Sequence, residues 1–197
     1  VWFHPKVGLW LGATPETLLQ TNNYSFKTMS LAGTQVYKDL EKVTWKSKEL
    51  EEQQLVTNFI QNQLKEISTN LKIDKTKTTK AGNLLHLKTI VSGTLNTKSS
   101  IKELIRALHP TPAVCGLPRK MAKDFILNNE NYQRNYYTGF LGEISQNSLD
   151  LFVNLRCMEI KNNNAFIYVG GGITKDSNAL KEWQETVAKS ATMGKVL

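Results

Sequence analysis

Tyr137-Thr138-Gly139-Phe140-Leu141-Gly142-Glu143-Ile144-Ser145, then Leu151 to Ile160, then Ala165-Phe166-Ile167-Tyr168-Val169, are three β-prone runs. Gln146-Asn147-Ser148 and Asn162-Asn163-Asn164 separate them. Polar connections this short join antiparallel neighbours, because a parallel crossover needs a dozen residues or more. The three runs therefore predict antiparallel hairpins.

Upstream, Val7 to Leu11 predicts a strand that ends at Gly12. Thr14-Pro15-Glu16 predicts a short helical turn, with Thr14 as N-cap and Pro15 at the first helical position. Tyr24 to Met29 predicts another strand, and Gly33 breaks the chain before a polar stretch. In Leu84 to Leu95, Leu85, Leu87, Thr89 and Val91 share one face; His86, Lys88 and Ile90 share the other. Trp45 to Ile67 predicts a long helix, with Leu55, Val56, Phe59, Ile60, Leu64 and Ile67 as its apolar stripe. Ile101 to Leu108 predicts a short helix. Pro118 to Asn128 predicts another, with Met121, Phe125 and Ile126 inward. Asp176 or Ser177 would cap a last helix running toward Met193, and Gly194 would end it. Strands joined by hairpins, without regular βαβ alternation, give the α+β class. No repeat, low-complexity segment or interdomain linker divides residues 1–197, so one domain is expected.

The 197 residues can bury a sizeable core. No apolar run approaches a membrane span and no signal-peptide pattern opens the chain. Cys115 and Cys157 match no metal spacing, which suggests free thiols and a cytoplasmic location. The net charge is +8, densest from Lys72 to Lys80. No aromatics interleave those lysines to stack bases, so the segment reads as a solvated loop and no nucleic-acid partner is expected. A positive balance also favours a dianionic small substrate. The aromatic start Val1-Trp2-Phe3-His4-Pro5 looks like the middle of a strand, so the chain is expected to be a piece of a longer protein.

Several groups admit two readings. His109-Pro110-Thr111-Pro112-Ala113-Val114-Cys115-Gly116 is either a proline-stiffened connector or a rigid loop that holds a ligand. Glu52 points toward the buried side of its helix, with Glu49 one turn earlier; an acid at a stripe's edge is either solvated or functional. In the last helix, Leu180, Trp183, Val187 and Ala191 make an apolar stripe, beside Glu182, Glu185 and Lys189. That second set is either an exposed ion-pair ladder or one wall of a cleft, where Glu185 and Glu52 together would suit a hard divalent cation. Gly170-Gly171-Gly172 is either a tight turn or a turn whose amides meet an anion.

Ala13-Thr14-Pro15-Glu16, Leu31-Ala32-Gly33-Thr34, the 109–116 loop, Arg156-Cys157 and Glu182-Trp183-Gln184-Glu185-Thr186 resemble, in that order, the motifs of the chorismate-utilising enzymes. The resemblance runs from Gly8 to Met193 and is closest to the isochorismate synthases. It implies a large antiparallel α/β sandwich, of which residues 1–197 would be the C-terminal part of a single catalytic domain. It implies magnesium on Glu52 and Glu185, with Glu49 and Glu182 as supporting acids, often through water. Glu16 would be the general acid that protonates the departing C4 hydroxyl, and His86 the active-site histidine near the ring. Gly33 and Thr34 would approach the C4 hydroxyl. Gly170, Gly171 and Gly172 would offer amides to a carboxylate of chorismate. Lys189 and Arg156 would hold carboxylates, Arg156 that of the enolpyruvyl group, and Tyr137 would touch substrate.

The implied reaction is attack of water at C2 of chorismate with loss of the C4 hydroxyl, for menaquinone or siderophore synthesis. The family's water-activating lysine lies well upstream of the Thr-Pro-Glu motif. Lys6, the only lysine before Glu16, is too close to match it, so the chain alone is expected to be inactive. Anthranilate and aminodeoxychorismate synthases place glycine where Pro112 stands and pair with a glutaminase; Pro112 implies no obligatory glutaminase partner. Salicylate synthase is the nearest rival reading, and a catalytically silent binding remnant is the alternative of a different class.

Overall fold

The computed structural model describes residues 1–37 and 43–197. Residues 38–42, in the polar stretch expected after Gly33, lie outside the described residues. The elements run β1 (Trp2–His4), β2 (Gly8–Gly12), β3 (Thr17–Asn22), β4 (Ser25–Val36), α1 (Ser47–Leu64), β5 (Ser68–Ile73), β6 (Lys77–Ala81) and β7 (Leu84–Leu95). Then come α2 (Ile101–Leu108), α3 (Pro112–Cys115), α4 (Arg119–Asn129), β8 (Phe140–Ile144), β9 (Ser148–Val153), β10 (Cys157–Lys161), β11 (Asn164–Tyr168) and α5 (Ala179–Gly194).

Every strand pairing is antiparallel among the described residues, as the hairpin reading predicts. A four-stranded sheet has the order β1-β2-β10-β11. A seven-stranded sheet has the order β5-β7-β4-β3-β9-β8, with β6 also paired to β7. The core lies between the larger sheet and α1 and α2: Val56, Ile60 and Leu64 of α1 and Leu104 and Leu108 of α2 pack with Leu19, Phe26, Val91, Leu151 and Val153. Ile60 is fully buried, and truncation to alanine would cost about 2–5 kcal/mol. Ser100 and Glu103 form a reciprocal capping box that starts α2.

Several expectations change. Thr14-Pro15-Glu16 is not a helical turn but an extended lead into β3; the Thr14 hydroxyl donates to the Val153 carbonyl instead of capping a helix. Gly33 does not break the chain. It sits inside β4 as a bulge, with φ +64, between Ala32 opposite Leu87 and Thr34 opposite His86. Leu151 to Ile160 is two strands in different sheets, because the chain bends at Asn154–Arg156, with Arg156 at φ +45. Lys72 to Lys80 is not a loop: most of it lies in β5 and β6, beside β7. Met121 and Phe125 are not inward but 70% and 68% exposed, since no described residue covers that side of α4.

The last helix is inverted relative to its hydrophobic pattern. Leu180 and Trp183 are 63% and 66% exposed and Val187 is exposed, whereas Glu182 is only 7% exposed. Asn178, rather than Asp176 or Ser177, caps α5 by accepting from the Lys181 amide at 3.2 Å. No helix among the described residues is long and apolar enough to cross a membrane.

Candidate active site

The two crossings between the sheets run side by side. Residues 13–16 carry the chain from β2 to β3, and residues 154–156 carry it from β9 to β10. The Ala13 amide donates to the Arg156 carbonyl at 3.0 Å, and the Val153 amide donates to the Glu16 carbonyl at 3.0 Å. This pairing brings the Glu16 and Arg156 side chains to one cavity of about 130 Å³. Thr34, Glu52, His86, Tyr137, the Gly170–Gly172 turn and Lys189 line the same cavity.

Glu16 is only 2% exposed, and burial pushes its carboxyl up to about 8; the Thr111 hydroxyl and the Lys189 charge pull the other way. It therefore carries a proton at neutral pH. His86 on β7 lies opposite Thr34 on β4. Its Nδ1 is 3.1 Å from the Gly33 carbonyl and 3.4 Å from the Thr34 hydroxyl. Arg156 Nη2 donates to His86 Nε2 at 2.6 Å, and Arg156 Nη1 donates to the Ala81 carbonyl at 3.2 Å. Burial first, then the Arg156 charge, lower the imidazole to about 4. A neutral ring with its proton on Nδ1 satisfies both contacts.

Gln53 fixes the rotation of α1. Its Oε1 accepts from the Ala32 amide, beside the β4 bulge, at 2.9 Å; its Nε2 donates to the Ser30 hydroxyl at 2.8 Å and to Thr89 at 2.9 Å. Those bonds leave the adjacent Glu52 facing the cavity. Burial and the facing Glu185 raise the Glu52 carboxyl above its ordinary value, against the pull of Lys189 and Lys48. On α5, Lys189 donates to Glu185 at 2.7 Å and to the Gly170 carbonyl at 3.0 Å. Lys48 pairs with Glu182. Burial would lower Lys48, but Glu182, Glu185 and Glu52 together hold it above the ordinary lysine value.

The glycine turn threads between these acids. A Cβ at Gly172 would stand 2.9 Å from Glu52 Oε1, one at Gly171 would stand 3.4 Å from Glu185 Oε1, and one at Gly170 would stand 2.7 Å from the Tyr137 hydroxyl. Glycine here is a matter of close approach. Tyr137 is buried against the turn, whereas Tyr136 is exposed and packs on Trp10.

The expected site residues thus gather into two adjoining groups. Gly33 contributes its backbone carbonyl to His86. Glu49 lies beside the cavity, where its Oε2 accepts from the Lys46 amide at 3.0 Å at the start of α1. Glu182 and Glu185 border the same adjoining space. Reasoning from sequence missed Lys48, Gln53, Thr111 and Arg134. Thr111 is buried in the expected ligand loop. Arg134 pairs with Glu130, donates to the Val114 carbonyl at 2.9 Å and so braces the 112–115 wall; the pair lies past the end of α4, in non-helical chain, and left no periodic signal in the sequence.

Could this site hold a divalent cation? No group of three or more His, Cys, Asp or Glu side chains is placed to ligate one among the described residues. Two half-buried carboxylates that repel each other, Glu52 and Glu185, suit a hard cation whose remaining ligands are water and substrate oxygens. The donor set fits magnesium in that limited sense.

A sequence model described as chorismate binding enzyme matches residues 3–197. The chain is 31% identical over 196 residues to isochorismate synthase EntC of Escherichia coli, covering 94% of this chain and 50% of that protein. It is 30% identical to isochorismate synthase DhbC of Bacillus subtilis, covering 93% and 49%. Among solved structures, a putative 2,3-dihydroxybenzoate-specific isochorismate synthase, DhbC from Bacillus anthracis, superposes with a TM-score of 0.87 at 32% identity, covering 94% of this chain and 53% of that one. Anthranilate synthase component I of Streptococcus pneumoniae gives 0.82 at 28% identity, covering 93% and 43%. The chain spans about half the length of the relatives that it matches. By its sequence from residue 3 to residue 197 and by its fold, this chain belongs to the chorismate-binding enzyme family.

Proposed function

We propose that the chain carries the substrate cavity of an isochorismate synthase, which converts chorismate to isochorismate reversibly. The observation that carries this reading is a buried Glu16, its carboxyl pushed up by that burial, in one cavity with Arg156, Lys189 and the glycine turn. A dianionic ring would be held by the Arg156 guanidinium at one carboxylate. Amides of Gly170–Gly172 would meet the other carboxylate, with Lys189 beside them. Glu16 would donate its proton to the C4 oxygen as that bond breaks and water leaves, while a second water adds at C2 and gives its proton to a base of the full gene product. The proton on Glu16 is already in place near pH 7, which is what a general acid needs.

His86 would stay neutral through this cycle. Its Nε2 fixes Arg156 and its Nδ1–H fixes the Gly33–Thr34 bulge, so it orients the groups that touch substrate. Glu52 and Glu185 would hold magnesium, with Glu49 and Glu182 as supporting acids. When bound, the metal would neutralise the ring carboxylate. The unpaired Cys115 and Cys157 fit a reducing compartment such as the cytoplasm. The names of two similar solved structures, the menaquinone-specific isochorismate synthase MenF of Escherichia coli and the 2,3-dihydroxybenzoate-specific enzyme of Bacillus anthracis, favour a role in menaquinone or 2,3-dihydroxybenzoate synthesis. The test is the product formed from chorismate and magnesium by the full gene product: isochorismate is expected, and salicylate with pyruvate would favour the rival reading.

A further inference from the structure

We propose that Lys48 is a built-in counter-ion of the acid cluster, which a divalent cation must outcompete, so that this lysine sets the metal affinity of the site. The inference rests on the reading of Glu52 and Glu185 as metal carboxylates. Lys48 stands one turn before Glu52 on α1 and reaches across to Glu182 on α5. It is also within electrostatic range of Glu185 and Glu52. Lys189 holds Glu185 from the other side. Three carboxylates facing two ammoniums leave little net negative charge for a metal. The Lys48–Glu182 pair is mostly shielded from water, with side chains 25% and 9% exposed, so bulk screening weakens it little. A dication entering between Glu52 and Glu185 meets the ammonium as a like charge at close range. The arrangement disfavours metal in an empty site, and a substrate carboxylate restores the missing negative charge. Metal binding would therefore follow or accompany substrate.

The test uses Mn²⁺ as the probe, with free Mn²⁺ read by electron paramagnetic resonance, on the full gene product without substrate. Lys48→Met, or Lys48→Gln if the first variant melts early by circular dichroism, should bind Mn²⁺ about tenfold or more tightly than the parent. Lys48→Arg, which keeps the charge, should match the parent. Adding Glu185→Gln to Lys48→Met should abolish the gain. Equal or weaker Mn²⁺ binding by both neutral variants would overturn the proposal. If the parent binds Mn²⁺ and Glu185→Gln abolishes that binding, such a result removes the role of Lys48 and leaves the metal carboxylates standing. Absence of Mn²⁺ binding by the parent and by both neutral variants would overturn the role of Lys48, and its absence also with chorismate present would remove the metal carboxylates.

Discussion

Arg156 Nη2 donates to His86 Nε2 at 2.6 Å, which makes a neutral histidine the support of the arginine rather than a proton carrier. His86→Ala should free the guanidinium and raise KM for chorismate more than it lowers kcat. A hydrogen bond to a charged group is worth about 1.5–3 kcal/mol, or roughly ten- to a hundredfold. A loss confined to kcat would instead make His86 an acid or base. By NMR, its imidazole should titrate near pH 4, and the stability it supplies should fall as pH drops from 6.5 through 4.

Glu16 is shifted in the opposite sense. Its folded value of about 8 lies above the ordinary 4.5, so its contribution is fully present below pH 4.5 and is lost as pH rises toward 8. Glu16→Gln should flatten that decline in thermal unfolding. It should also cut turnover on the order of a hundredfold while chorismate still binds. Normal turnover by this variant would remove Glu16 from the mechanism.

Gly172→Ala places a Cβ 2.9 Å from Glu52 Oε1, the mobile end of a side chain. The fold should survive with a nearly unchanged Tm, and the carboxylate should be pushed aside. Mn²⁺ binding should weaken severalfold in Gly172→Ala and much less in Gly171→Ala, where the contact of 3.4 Å is ordinary packing. Equal effects from the two substitutions would contradict this placement of Glu52.

Glu52→Gln and Glu185→Gln should each reduce magnesium-dependent activity severely, because the proposed site has only these two facing carboxylates. Activity of the double variant at the parent level, measured over a magnesium titration, would end the assignment.

How much of this was legible in the sequence depended on what lay beside each element. β7 and α2 match their expected limits because their alternation and apolar spacing point into an apolar core. Within α1 the stripe placed Val56, Ile60 and Leu64 correctly but put the exposed Leu55 inside. It missed Gln53, which is buried because the β4 bulge offers it a backbone donor. For α5 the rule that apolar means inward failed outright. That helix faces a polar cleft, so Glu182 and Lys189 turn inward while Leu180 and Trp183 face out. The bend at Asn154–Arg156, which sets Arg156 in the site, arises from pairing with residues 13–16 and has no local signal. Motif order singled out residues that the fold brings to one cavity and the space adjoining it; periodicity alone would have put Glu182 and Lys189 on the surface.

Product analysis tests the central claim most directly. The full gene product, with magnesium, is started separately from chorismate and from isochorismate, and the products are separated by chromatography. The account predicts that both reactions reach the same mixture of the two compounds, since one hydroxyl replaces another on the same ring. Anthranilate formed with ammonia, or no interconversion from either side, would contradict it.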